Sequence, residues 1–135
     1  MGLADRVVAT AEAIRAARPT RGRPIVMGFS QGAMLTWTIA VARPRAFFAA
    51  FPVAGFFFPE TLATTRVDAA VMPEIVAFHG DADPLVPVDE DRRGVRALEK
   101  RGVRAALRVH PGLGHTLAPG LRADLFAAMA RALAR

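Results

Sequence analysis

Apolar residues recur along Leu3 to Ala17 at Leu3, Val7, Ala11 and Ile14, the spacing of one helix face, and Pro19 and Gly22 end the run. Pro24 to Phe29 is then continuously apolar, as expected of a short strand buried on both faces of a parallel sheet. Gln31 to Arg43 reads as a helix ended by Pro44, whose ring disfavours helical geometry at Arg43. Ala46 to Val53, rich in phenylalanine, is the second predicted strand. Ala54 to Pro73 is irregular, with Gly55, Pro59 and a Thr64–Thr65 pair, and reads as an excursion above the sheet holding a short helix. Glu74 to His79 is the third strand. Asp89 is placed to cap a following helix, with Glu90 and Asp91 in the first turn where the helix dipole favours negative charge. That helix runs to Arg101, and Gly102 suits the C′ position. Val103 to Val109 alternates as a fourth strand. Pro119 opens a last helix whose Leu121, Leu125, Ala128 and Ala132 share a face.

Strand and helix thus alternate four times without repeats or an internal linker. The pattern predicts an α/β fold in one domain, residues 1–135, with about four parallel strands flanked by helices. At 135 residues the chain can bury a real core. It has no cysteine, which excludes a disulfide scaffold, a thiolate metal site and a thiol nucleophile. The first residues lack a basic head followed by an apolar block, and the most apolar run, Ala46 to Pro59, is too short to span a bilayer. A soluble, cytoplasmic protein with no membrane span is expected. The net charge of +6 is carried by arginines dispersed along the helices rather than gathered in a basic run. The aromatic residues cluster in apolar segments instead of alternating with the basic ones, which argues against nucleic-acid binding.

The chemistry centres on Ser30, the only serine, in Gly28-Phe29-Ser30-Gln31-Gly32. A G-x-S-x-G run between a buried strand and a helix is the pattern of a nucleophile elbow, in which the tight turn lifts the serine hydroxyl above the strand ends. Glycines two residues to either side remove side chains that would clash. The backbone N–H of Gln31 then points to where an oxyanion would develop, at a helix N-terminus. A plainer role for Ser30 is to cap that helix.

Active sites form at the C-terminal ends of parallel strands, so an orienting acid is sought after the third strand and a histidine after the fourth. The first loop, His79-Gly80-Asp81-Ala82-Asp83-Pro84-Leu85-Val86-Pro87, offers Asp81 and Asp83; either could be the acid, and Asp81 could instead shape the bend. The second, Pro111-Gly112-Leu113-Gly114-His115, is bracketed by glycines and lets His115 reach back over the sheet. His110 and His79 read as structural histidines hydrogen-bonded to backbone. The three histidines show no metal-binding spacing, and no metal or cofactor is expected.

These three stretches resemble the signature runs of the phospholipase/carboxylesterase family of α/β hydrolases, which includes the acyl-protein thioesterases and small bacterial carboxylesterases. The middle run is the most specific of the three. The resemblance implies Ser30 as nucleophile, His115 as base and Asp83 as acid. It implies hydrolysis of a carboxylic ester through an acyl-enzyme, with thioesterase or peptidase chemistry on the same fold as variants. A small-molecule, short-chain acyl ester is the expected substrate, with Phe29, Phe56, Phe57 and Leu85 as candidate contacts; Phe56-Phe57-Phe58 could equally be core.

The resemblance covers only the C-terminal half of that fold. A complete member has about four strands before the elbow and a loop that supplies a second oxyanion N–H; here one helix precedes the elbow. The elbow strand is therefore expected at an open sheet edge, and a homo-oligomer is expected to cover it by pairing Ile25 to Met27 across a two-fold axis. The contrasting expectation is a non-catalytic half-domain that acts as a binding or assembly module.

Overall fold

The computed structural model describes residues Met1–Arg135. Four strands, β1 (Ile25–Phe29), β2 (Ala49–Val53), β3 (Glu74–Gly80) and β4 (Ala105–His110), form one sheet in the order β1-β2-β3-β4 with every neighbouring pair parallel. The helices are α1 (Leu3–Ala17), α2 (Gln31–Ala42), α3 (Val88–Glu99) and α4 (Pro119–Leu133), with a 3₁₀ turn at Pro59–Ala63 inside the excursion after β2. Four parallel strands flanked by helices are what the sequence pattern predicts.

Side-chain alternation along the strands divides the core into two layers. On one face Ala50, Ile75, Ala77 and Ala105 pack against Trp37 and Val41 of α2 and Val95 and Leu98 of α3. On the other, Phe51, Val53 and Phe78 pack against Leu121, Leu125 and Ala128 of α4. Leu98, Leu121, Leu125, Ile75 and Phe78 are all fully or almost fully buried. The helical spacing of the α4 residues was visible in the sequence for the same reason that it works here: one stripe must meet the sheet.

Three local expectations are corrected. Asp89 does not cap α3; Pro87 holds that position, and Asp89, Glu90 and Asp91 all lie in the first turn. Proline there has its φ already fixed and brings no N–H to satisfy. The predicted apolar face of α1 is not covered: no residue of α1 is buried, and Leu3 and Ile14 are 64% and 55% exposed. The sheet ends at β1, so no further strand lies beyond it for this helix to cover. Third, the second strand begins at Ala49 rather than Ala46, because residues 44–46 form a turn after α2.

Pro52 lies in β2, an interior strand, where a residue without an N–H is normally excluded. The β2–β3 pairing runs through Ala49, Ala50 and Val53 and omits Phe51 and Pro52. Immediately after, Ala54 takes a positive φ of 53°, while its N–H bonds to the Phe78 carbonyl at 2.8 Å. The end of β2 is thus irregular at the point where it meets the turn that follows β1.

Candidate functional site

Ser30 stands between β1 and α2 with φ 56° and ψ −116°, a conformation that costs a non-glycine residue of the order of 1–3 kcal/mol. The surroundings enforce it. The Ser30 N–H bonds to the Val53 carbonyl at 2.9 Å, and the Ser30 carbonyl accepts from Ala33 and Met34 as α2 begins. A Cβ on Gly28 would lie 2.1 Å from the Gly32 carbonyl oxygen, so only glycine lets the strand and helix close this tightly. Gly55 serves the same turn from β2, since a Cβ there would lie 2.5 Å from that of Ala33. Gly32 departs from expectation: a Cβ on it meets nothing within 4 Å, because its outward side is open space.

Ser30 makes no capping hydrogen bond, which leaves its hydroxyl for another partner. Oγ lies 3.0 Å from His115 Nε2, and His115 Nδ1 lies 2.7 Å from Asp83 Oδ2. The three side chains come from three loops, after β1, β3 and β4, at the same end of the sheet. The Phe29 ring packs 4.9 Å from the His115 imidazole, fixing its plane from one side. Gln31 opens α2 as an exposed residue, and its N–H precedes any intrahelical acceptor.

Asp83 is the better anchored of the two candidate acids. Its side chain is inaccessible to solvent; Oδ1 accepts the N–H groups of Leu85 and Val86, both at 2.9 Å, while Oδ2 meets His115. Desolvation pushes its carboxyl up, but the Val86 N–H, His115 and the Leu85 N–H outweigh it and hold Asp83 below the usual carboxylate range. Asp81 does not shape its own loop in the way foreseen. It faces outward and accepts the Gly112 N–H at 2.6 Å, tying the acid loop to the histidine loop. The Asx-turn bonds belong to Asp83 instead.

The other two histidines also differ from expectation. His110 pairs with Asp124 of α4 at 3.3 Å, beside the Arg108–Asp124 ion pair, rather than with backbone. Arg108 and His110 are two residues apart on β4 and so share a face directed at α4. His79 does bond to backbone, with Nε2 2.8 Å from the Val86 carbonyl, but its Nδ1 meets Asp91 at 2.9 Å. Asp91 also accepts the Trp37 indole N–H at 3.0 Å. Neither Asp91 nor Trp37 stood out in the sequence as part of a polar cluster. A signal existed: Asp91 shares helical spacing with Val95 and Leu98, which puts a carboxylate on the buried face of α3. No three His, Asp or Glu side chains converge as a metal ion requires.

The candidate substrate contacts separate. Leu85 is 71% exposed beside Asp83, and Phe29 touches His115. Phe56 lines a cavity of about 230 Å³ with Met34, Thr38, Val41, Phe58 and Thr61, one helical turn beyond Ser30; neither Ser30 nor His115 lines it. Phe57 borders the same cavity but is buried, stacking on Trp37 at 6.0 Å and packing over Gly94, so core packing is its main role.

A family model described as Phospholipase/Carboxylesterase matches residues 10–124. A probable inactive carboxylesterase of Oryza sativa is 29% identical over 93 residues, which is 68% of this chain and 38% of the rice protein. Acyl-protein thioesterase 1 of Gibberella zeae is 33% identical over 52 residues, 38% of this chain and 22% of the fungal protein. Among solved structures, esterase PE8 superposes with a TM-score of 0.77 at 27% identity, over 93% of this chain and 58% of its own. Arabidopsis thaliana SOBER1 superposes at 0.82 with 21% identity, over 96% of this chain and 62% of its own. The fold is therefore shared almost throughout this chain, while the chain spans well under half the length of these curated relatives. No helix is long and apolar enough to cross a membrane.

Proposed function

Because the chain belongs to the phospholipase/carboxylesterase family, we propose that it carries a serine ester hydrolase site with Ser30 as nucleophile, His115 as general base and Asp83 as the orienting acid. One observation supports this above the rest: Ser30 Oγ, His115 and the buried Asp83 carboxylate lie in hydrogen-bond contact, at 3.0 and 2.7 Å, with the serine held in an elbow conformation.

Ser30 Oγ attacks the ester carbonyl carbon while His115 Nε2 takes its proton. The oxyanion forms beside the Gln31 N–H. Collapse breaks the bond to the alcohol, which leaves with the proton from His115. Water then repeats the sequence on the acyl-enzyme and releases the acid. The Gln31 N–H is the oxyanion donor that these residues supply; the loss of one donor from such a site costs roughly 10²–10³ in rate. Small, short-chain acyl esters fit a site whose Leu85 rim is open and whose Phe56 cavity lies a turn away. A thioester is the nearest variant substrate and an amide the least favoured.

Pairing at the β1 edge would also supply a second oxyanion donor. A second copy of the chain covers β1, whose Met27 is exposed and whose outer backbone groups have no strand beside them. Antiparallel pairing through Ile25 to Met27 brings Arg21 to Arg23 of the partner subunit near Ser30, where they can donate to the oxyanion. Sedimentation equilibrium showing a stable monomer at all concentrations removes this arrangement.

A non-catalytic module is the second reading, favoured by the rice relative described as inactive. Release of p-nitrophenol from its butyrate ester separates the two. Turnover lost in Ser30→Ala supports the hydrolase; equal rates, or none in either protein, support the module.

A further inference from the structure

Behind Asp83 lies a second histidine–aspartate pair that the proposed chemistry leaves unused. His79, near the end of β3, is fully buried, with Nε2 on the Val86 carbonyl and Nδ1 on Asp91 Oδ2. A carbonyl oxygen only accepts, so Nε2 carries a hydrogen. Asp91 accepts the Trp37 N–H on its other oxygen; burial raises its pKa against the hydrogen bonds from His79 and Trp37, and as a carboxylate it makes Nδ1 a donor too. A ring with both hydrogens is a cation. Burial works against that charge, but the Asp91 hydrogen bond, the Val86 carbonyl and the charges of Asp91 and Asp83 outweigh it and raise the pKa of His79.

The pair is also joined to the site. His79 Nε2 lies 3.5 Å from Asp83 Oδ2, and Val86, whose carbonyl holds His79, donates its own N–H to Asp83 Oδ1. The ionisable groups that act on His79 are Asp91 from α3 and Asp83 from the acid loop; α2 presents only the uncharged Trp37, through Asp91.

We propose that His79 is a positioning residue, an imidazolium held by Asp91 that seats the loop of residues 81–87 through Val86 and places a positive charge beside the Asp83 carboxylate. The inference rests on the hydrolase reading of Ser30, His115 and Asp83. Its consequence is that Asp83 divides its charge between two histidines. His115 then releases its proton more readily between turnovers and is free to act as base at lower pH.

With three histidines in the chain, nitrogen-15 NMR of the imidazole rings tests this on the unaltered protein, and His110→Asn and His115→Asn assign the signals by elimination. His79 is expected to show two ring N–H signals at about neutral pH, above the ordinary histidine range; one ring N–H, with Asp91 carrying the other proton, overturns the proposal. His79→Gln keeps an amide donor for Val86 and removes the charge, while Asp91→Asn removes the partner that holds it. In either variant kcat for p-nitrophenyl butyrate is expected to fall about tenfold with KM little changed, and the acid limb of the kcat/KM profile to move up by about half a pH unit or more. Loss of rate with the limb unmoved reduces His79 to a structural residue. If the wild-type chain shows no Ser30-dependent turnover, the hydrolase reading fails separately. The His115 Nδ1–H signal of Ser30→Ala, with and without His79→Gln, then decides: a shift sustains the positioning role and an unmoved signal ends it.

Discussion

Gly80 and Leu113 approach more closely than any side chain on Gly80 allows: a Cβ there would lie 2.0 Å from the Leu113 carbonyl oxygen. That contact, with the Ala82 N–H on the same carbonyl at 3.0 Å, clamps the loop of His115 onto the loop of Asp83. Gly80→Ala must therefore push the two loops apart. We expect about 2 kcal/mol or more of lost stability in urea titration, and loss of the His115–Asp83 ring N–H signal even where the chain stays folded. A variant as stable as wild type with that signal intact contradicts the clamp.

Asp83→Asn keeps the shape of the acid but removes its charge and alters which His115 nitrogen is protonated. A fall of roughly 10⁴ in kcat with little change in KM is expected for p-nitrophenyl butyrate. The same substitution has a stability signature. Asp83 titrates lower in the folded chain than unfolded, so its stabilisation is complete above the unfolded value and disappears as pH falls through the folded one. Acid unfolding of Asp83→Asn should lack that part of the decline; identical acid curves for both proteins refute it.

The sign reverses for His79. Its folded pKa is raised, so its stabilisation is complete below the unfolded value of about 6.5 and is lost as pH rises towards the folded one. Between the two, the wild-type stability is expected to fall by up to about 1.4 kcal/mol per pH unit. His79→Gln should flatten this alkaline slope, as measured by urea unfolding at a series of pH values.

Trp37→Phe preserves most of the apolar contact with Phe57 but withdraws the donor from Asp91. A buried acceptor that loses a partner costs about 1–3 kcal/mol. Calorimetry showing no loss means that Asp91 does not depend on the indole.

Two non-glycine residues hold positive φ, Ser30 at 56° and Ala54 at 53°. Ala54→Gly is expected to stabilise by about 1 kcal/mol, offset in part by the chain entropy that glycine restores to the unfolded state. Ser30→Gly should for the same reason be more stable than Ser30→Ala. If glycine is the worse choice at both positions, the backbone there is not strained.

The sequence was most readable where one periodic rule decided the outcome. Interior strands read as apolar runs, and Ile75 to Phe78 showed it; Ile25 to Phe29 is as apolar, yet no residue of β1 is buried and Met27 is exposed, because β1 is an edge strand. The residues brought together at Ser30 were legible because the elbow glycines and the two strand-end loops are local patterns. What stayed hidden depends on distance. Asp91 and Trp37 lie 54 residues apart, and no local pattern links them. Pro52 sits in an interior strand, and only the gap in the β2–β3 pairing shows how the sheet accommodates it. The exposed face of α1 was misjudged because periodicity reveals an apolar stripe and not whether anything lies opposite.

Trp37 is the only tryptophan in the chain and is wholly shielded from water, with its indole N–H on the carboxylate that holds His79. The molecule thus contains a single chromophore wired to the charge behind its acid loop. Light emitted by that indole depends on the field across the ring, so a proton gained or lost by the Asp91–His79 pair changes its colour and yield. A fluorimeter can follow the buried charge continuously, without label, substrate or turnover.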